Sequence, residues 1–239
     1  MKTIGLIGGM SWESTALYYR LINQKVREQL GGLHSARLVL YSVDFDPMER
    51  LQAAGRWDEA GRQLSEAACA LAASGAECLV LCTNTMHRVA PAIESATTLP
   101  LLHIADATAE VIHGAGLKRV GLLGTRFTME QAFYRERLQS RHNIEVLVPP
   151  ASDREIVHRV IYEELCQGEV RPDSRQSYER VMSNLTAKGA QAVILGCTEI
   201  TLLVDQSSAS VPLLDTTAIH AQSAVSYALA TNRHKHRRK

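Results

Sequence analysis

The chain has 239 residues, 46% of them hydrophobic and 5% aromatic, and its 26 basic side chains stand against 25 acidic ones for a formal charge of +1. That profile suits a globular protein with one sizeable core or two smaller ones; it excludes a disordered, collagenous or disulfide-stapled chain and gives no electrostatic reason to expect nucleic acid. Five cysteines without a CxxC pair fit reduced thiols, no apolar run approaches the roughly 20 residues of a membrane span, and no signal-peptide pattern opens the chain, so a cytoplasmic protein with no membrane partner is expected.

From the N-terminus, residues 3–7 form the first predicted strand. It runs into Gly8-Gly9-Met10-Ser11 and a helix beginning near Ser14. Glycines here let the backbone approach a ligand, and free N–H groups at a helix start attract anions. The spacing is not GxGxxG and no Walker lysine follows, so a nucleotide site is disfavoured, and a tight turn and an anion site stand equal. Further strands are predicted at 37–43, 77–82, 100–103, 118–124, 144–148, 191–195 and 211–214. Their continuous Val/Ile/Leu character predicts parallel strands buried on both faces. Between them, Glu59–Ser74 and Ser174–Lys188 have helical periodicity, and Gly75 and Gly189 follow as stops. The last nine residues carry Arg233, Lys235, Arg237, Arg238 and Lys239 and no acid, leaving 21 basic against 25 acidic groups before them. An anionic partner, or a metal on His234 and His236, is weighed against a frayed, solvated terminus, which is the reading adopted.

The chain repeats itself. Ile4-Gly5-Leu6-Ile7-Gly8 matches Val120-Gly121-Leu122-Leu123-Gly124, and Ala16 and Tyr18 then meet Ala132 and Tyr134. Gly75 to Asn84 align with Gly189 to Thr198, and Pro100-Leu101-Leu102 with Pro212-Leu213-Leu214. Offsets of 116, 114 and 112 in the same order define two related halves of about 115 residues. With strands and helices alternating in each, the expected class is α/β, as two pseudo-symmetric, doubly wound Rossmann-like domains. Functional residues in such sheets follow the carboxyl ends of the strands.

The most informative strand ends are Thr83-Asn84-Thr85 and Cys197-Thr198-Glu199, which the repeat makes equivalent. A thiol entering a helix N-terminus is expected to have its pKa lowered by the dipole and free amides, while Asn84, Thr85 and Thr198 can hydrogen-bond a substrate carboxylate. Cys69, Cys78, Cys82 and Cys166 are read as core. His87, one turn beyond Thr83, orients a substrate or caps and packs; both remain open. No histidine or cysteine spacing implies a metal. Two equivalent protic groups, one from each half, suit removal of a proton from one face of a carbon and return to the other, which is racemisation.

At this point the chain resembles the cofactor-independent aspartate/glutamate racemase family over its full length. The motifs that carry the resemblance are Gly5 to Ser11, Thr83-Asn84-Thr85-Met86-His87, Leu123-Gly124-Thr125 with Thr128-Met129, Tyr162-Glu163-Glu164-Leu165 and Gly196-Cys197-Thr198-Glu199. The resemblance implies an active site between two domains, two-base chemistry without pyridoxal phosphate or any other cofactor, a small-molecule amino-acid substrate and a homodimer. It also implies that the chain from about residue 211 returns to the first domain, giving 1–98 with 211–239 and 99–210. Thr83 and Cys197 are then the catalytic pair, with Met10, Ser11, Asn84, Thr85, Thr125, Thr128, Thr198 and Glu199 around the substrate.

Thr83 departs from the family pattern, which reads Cys-Asn-Thr. A hydroxyl is a poor base for a Cα proton but can return one to a carbanion, so the expected enzyme favours L-to-D turnover, with Cys197 acting on the L-amino acid. Aspartate-specific relatives place cations where this chain has Met48 and Cys166; Arg50 and Arg126 are candidate replacements for binding L-aspartate or L-glutamate, although each is read first as a surface arginine, and the other reading is a broad pocket that takes neutral amino acids such as homoserine. A malonate-type decarboxylase or isomerase of the same superfamily and a non-catalytic amino-acid sensor are the alternatives.

Overall fold

The structure, a computed structural model, describes residues 1–230; the basic segment 231–239, with the readings attached to it, lies outside the described residues. The first part of the chain forms β1 (Ile4–Gly8), α1 (Trp12–Leu30), β2 (Leu38–Ser42), α2 (Phe45–Ala53), α3 (Trp57–Ala73), β3 (Cys78–Leu81), α4 (Ala90–Ala96) and β4 (Leu101–Leu102). There follow α5 (Ile104–Gly114), β5 (Arg119–Gly124), α6 (Arg126–Glu130), α7 (Ala132–His142), β6 (Glu145–Leu147), α8 (Ala151–Glu163), α9 (Pro172–Ala187), β7 (Val193–Gly196), α10 (Ile200–Leu203), β8 (Leu213–Asp215) and α11 (Thr216–Leu229). Each expected strand is present within about two residues of its predicted ends.

The strands pair in parallel as two four-stranded sheets, β2-β1-β3-β4 and β6-β5-β7-β8. The second sheet repeats the order of the first, so the expected α/β class with two Rossmann-like units is borne out. Alternation of side chains along each strand explains the layers. Ile4, Leu6, Cys78, Val80 and Cys82 pack against α1 and α11, whereas Ile7, Leu79 and Leu81 pack against α2 and α3. In the second sheet Val120, Leu122, Ala192 and Ile194 meet α5 and α7, and Leu123, Val193 and Leu195 meet α8 and α9.

The expectation that every strand is buried on both faces holds for β1 and β3 but not for β2, whose last three residues are exposed. β2 is an edge strand, paired on one side only, and Leu40 and Tyr41 keep its apolar composition while facing solvent. Contacts divide the chain into Met1–His103 with the segment from His220 on, and Ile104–Ile219. These boundaries differ from 98/99 and 210/211 because hydrogen-bond ladders decide them: Leu101–Leu102 stay with β3 and Leu213–Asp215 with β7. α11 supplies Ala221, Ala224, Val225 and Ala228 to the first unit. Among the described residues no helix is long and apolar enough to cross a membrane.

Candidate active site

In the first unit, β1 turns into α1 through two glycines. A Cβ on Gly8 would lie 2.4 Å from Thr15 Cγ2; Gly9 has φ +97° and a Cβ there would lie 2.1 Å from the Val43 carbonyl oxygen, so only glycine closes this turn. Thr15 Oγ1 accepts from the Gly9 amide at 2.8 Å and donates to the Ser11 carbonyl at 2.8 Å. Ser11 caps α1, its Oγ accepting from the Ser14 amide at 3.3 Å. Met10 is buried with Met48 in the apolar cluster under α2 and α3, which also places Met48 in the core.

β3 ends at Leu81. Cys82 turns to the α1 and α11 side, where burial raises its thiol pKa far above the ordinary value, in keeping with a core role. Thr83 is half-buried, and its carbonyl accepts a hydrogen bond from His87 Nδ1 at 2.7 Å. Asn84 and Thr85 are buried, and the expected helix begins as a 3-10 turn, Thr85–Val89. His87 is buried with its ring edge-on to His103 at 4.4 Å and to His220 at 5.7 Å. His220 Nε2 donates to the Leu102 carbonyl at 2.6 Å, and Nδ1 lies 2.9 Å from the Tyr18 hydroxyl. Burial lowers the His220 pKa to about 4. The ring is therefore neutral and Nδ1 accepts from Tyr18.

In the second unit, Thr125 caps α6, accepting from the Thr128 amide at 3.3 Å, and the two hydroxyls are 3.2 Å apart. Thr128 has no exposed surface and lies beneath Gly124 and Gly196. Its hydroxyl backs that of Thr125. After β7, Cys197 is half-buried and its Sγ donates to Glu199 Oε2 at 2.9 Å. The thiol is held well above its ordinary pKa, first by burial and then by the Glu199 charge and that hydrogen bond. The expected lowering by a helix N-terminus is thus reversed. α10 is a helix of only four residues, and a short dipole does not offset desolvation and an adjacent carboxylate. Glu199, expected against substrate, accepts from the thiol through Oε2. Thr198 Oγ1 lies 3.3 Å from Thr217 Oγ1, and the Thr198 carbonyl accepts from Thr201 at 2.8 Å.

Of the candidate cations, Arg50 pairs with Asp46 at 3.0 Å and Arg126 with Glu155 at 3.0 Å, both on the surface. Cys69 and Cys166 are exposed, against the core reading. Cys69 falls one position off the buried stripe of α3, and Cys166 sits in the turn after α8, ahead of Gly168 at φ +78°. Among the described residues no group of three or more His, Cys, Asp or Glu side chains could hold a metal ion. Tyr18, His103 and His220 carry no site expectation from the sequence. The repeat held a signal for two of them: Tyr18 and His220 match Tyr134 and Thr108, whose hydroxyls also lie within 3.5 Å of each other.

The chain matches the Asp/Glu/hydantoin racemase family over residues 7–224. It is 25% identical to the broad-specificity amino-acid racemase RacX of Bacillus subtilis, across 95% of this chain and 98% of that protein. A crystal structure from Yersinia pestis, of a candidate Asp/Glu racemase, superposes with a TM-score of 0.92 at 61% identity, covering 96% of this chain and 100% of the other. PH1733, an aspartate racemase homologue from Pyrococcus horikoshii, gives 0.84 at 34% identity over 95% and 99%.

Proposed function

From the premise that the chain belongs to the Asp/Glu/hydantoin racemase family and is an amino-acid racemase, an isomerase, we propose that it inverts L-amino acids at Cα by two-base proton transfer, independently of pyridoxal phosphate and with L-to-D turnover in excess. The observation that carries this reading is the Cys197 thiol donating to Glu199 Oε2 at 2.9 Å beyond β7. The carboxylate takes the thiol proton. The thiolate then removes the Cα proton of the L-substrate: an S–H bond forms, the C–H bond breaks, and its electron pair moves into the substrate carboxylate. Thr83, the repeat-equivalent residue, returns a proton from its hydroxyl to the opposite face and recovers one from solvent, to which Glu199 releases the proton it took from Cys197. Ser11, Asn84, Thr85, Thr125 and Thr198 supply hydrogen bonds to the substrate's amino and carboxylate groups, and Met10 backs the turn that carries Ser11.

Thr83 in place of a thiol makes the reverse direction slow. Equilibrium fixes the ratio of the two kcat/KM values, so the asymmetry is shared between kcat and KM. For substrate range we favour a broad set of L-amino acids, neutral ones such as homoserine included, over a site dedicated to L-aspartate and L-glutamate. Arg50 and Arg126 already face carboxylates of the chain, Met48 is in the core, and the Bacillus subtilis relative is named for broad specificity. A cytoplasmic homodimer belongs to the same reading, and the exposed side chains of Trp12, Tyr19, Leu40 and Tyr41 support self-association.

The test is proton NMR of L-aspartate, L-glutamate and L-homoserine in D2O, with wild type and Cys197→Ser. The expected result is loss of the α-proton signal that requires Cys197, with deuterium in the D-product. Release of CO2 would point to a decarboxylase, and binding without turnover to a sensor. Thr83→Cys is expected to raise D-to-L turnover, and an unchanged rate would remove Thr83 from the catalytic pair.

A further inference from the structure

The repeat lets each unit serve as the control for the other. At the end of β7 the reactive side chain is attended by a carboxylate two residues on, Glu199. At the equivalent end of β3 position 85 is a threonine, and the attending group is His87, whose repeat partner is Thr201. His87 does not stand alone. Its ring is held edge-on by His103 and His220, and His220 is tied at one nitrogen to the carbonyl of Leu102, at the end of β4, and at the other to Tyr18 of α1. α1 is tied to the same strand end, because Ser14 Oγ donates to the Cys82 carbonyl at 3.4 Å. The ends of β1, β3 and β4 are thus linked through buried rings. The second unit has no such assembly among its described residues; there the positions of His220 and Tyr18 hold Thr108 and Tyr134.

We infer that His87 is a positioning residue for Thr83: braced by His103, His220 and Tyr18, it fixes the Thr83 backbone, so that proton return by Thr83 depends on this assembly and proton removal by Cys197 does not. The chemistry explains why such a brace is useful. A hydroxyl is a weak acid, and the carbanion it must reprotonate can equally recover its proton from Cys197, so productive inversion requires the Thr83 oxygen to be held in line. Misplacement of a reacting group by about 1 Å costs on the order of a hundredfold. A carbonyl anchored by a 2.7 Å hydrogen bond from a buried ring that is flanked by His103 and His220 restricts that displacement. The donor is Nδ1–H, since a carbonyl only accepts.

The inference rests on the racemase reading and is tested by separating the two half-reactions. Inversion of an L-amino acid needs both residues. Elimination from 3-chloro-L-alanine needs only removal of the Cα proton by Cys197; chloride then leaves Cβ with the electron pair of the broken C–H bond forming the Cα–Cβ double bond, and hydrolysis of the resulting 2-aminoacrylate gives pyruvate and ammonium. For His87→Leu, D-product formation from whichever of L-aspartate, L-glutamate or L-homoserine is fastest is expected to fall by roughly ten- to a hundredfold, while pyruvate formation stays within about threefold. His87→Asn, which can place an N–H donor where Nδ1 lies, is expected to retain inversion within about threefold. Tyr18→Phe, which keeps the ring and deletes one hydroxyl, provides a milder reading should His87→Leu fail to fold, with the same fall in the ratio of inversion to elimination. Equal loss of both reactions, or loss of neither, in the variants that fold would overturn the inference. Absence of any Cys197-dependent turnover in wild type would instead overturn the racemase reading, a distinct result.

Discussion

Glu199 bears its charge beside a thiol that has to give up a proton, and two effects of that charge oppose each other. As a proton acceptor it activates Cys197; as an anion it keeps the thiolate scarce, which is part of why the thiol pKa lies well above its ordinary value. Loss of a positioned general base costs about 10²–10⁴ in rate, whereas relief of repulsion returns about tenfold in thiolate per pKa unit. Burial, ahead of Glu199, is the leading cause of the raised pKa, so removing the charge relieves only the lesser part of it and the first effect is taken as the larger. Glu199→Gln is therefore expected to slow α-proton loss from L-substrate by about 10–10³ near neutral pH and to move to lower pH the rise in rate that accompanies ionisation of the thiol. Profiles over pH 6–10 decide it: a neutral-pH rate at or above wild type would mean that repulsion, not proton acceptance, governs the pair. None of this was legible from residue types. The repeat placed Cys197 and Thr83 at equivalent strand ends, but the direction in which Glu199 folds back depends on one turn of backbone after β7.

At the scale of elements, periodicity identified all eight strands because apolar runs four to seven residues long recur between amphipathic helices. It did not separate central from edge strands: Leu38–Tyr41 are as apolar as Cys78–Leu81, and only pairing order distinguishes them. It also did not reveal that α11 buries a histidine, since His220 meets Tyr18 across 202 residues of chain. That contact has a consequence for stability. His220 titrates at about 4 in the folded chain and near 6.5 when unfolded. Between those values the unfolded chain binds a proton that the native one does not. Stability is thus fully present above about pH 6.5 and falls as pH drops toward 4, by about 3 kcal/mol. His220→Gln keeps a donor for the Leu102 carbonyl and cannot titrate. It is expected to be less stable than wild type at pH 7, where the buried Tyr18 hydroxyl loses an acceptor at a cost of about 1–3 kcal/mol. By pH 4.5 the difference should shrink or reverse. Urea unfolding at both pH values measures this, and an identical acid loss in wild type and variant would assign the acid limb to other groups.

At the scale of the whole molecule, the repeat explains why the chain cannot be cut at its middle. Each half ends in a short strand followed by a helix, and the contacts assign α5 to the second unit and most of α11 to the first. The first unit therefore needs both ends of the chain. Besides its buried alanines and Val225, α11 closes on the start of β1, where the Lys2 amide donates to the Ala228 carbonyl at 2.9 Å. A chain ending at Ile219 keeps every residue of the second unit and strips the first of this cover. Ile4, Leu6, Ile22, Val26 and Val80 would lose apolar neighbours, at up to about 1.5–3 kcal/mol for each side chain fully exposed. The Leu102 carbonyl and Tyr18 hydroxyl would lose their His220 partner as well. The sum rivals or exceeds the entire stability of a typical domain, about 5–15 kcal/mol. Limited proteolysis with mass spectrometry of the 1–219 chain should then digest residues 1–103 rapidly while 104–219 persists as a resistant fragment. Equal resistance of the two parts would show that α11 is an accessory of the first unit rather than a wall of its core.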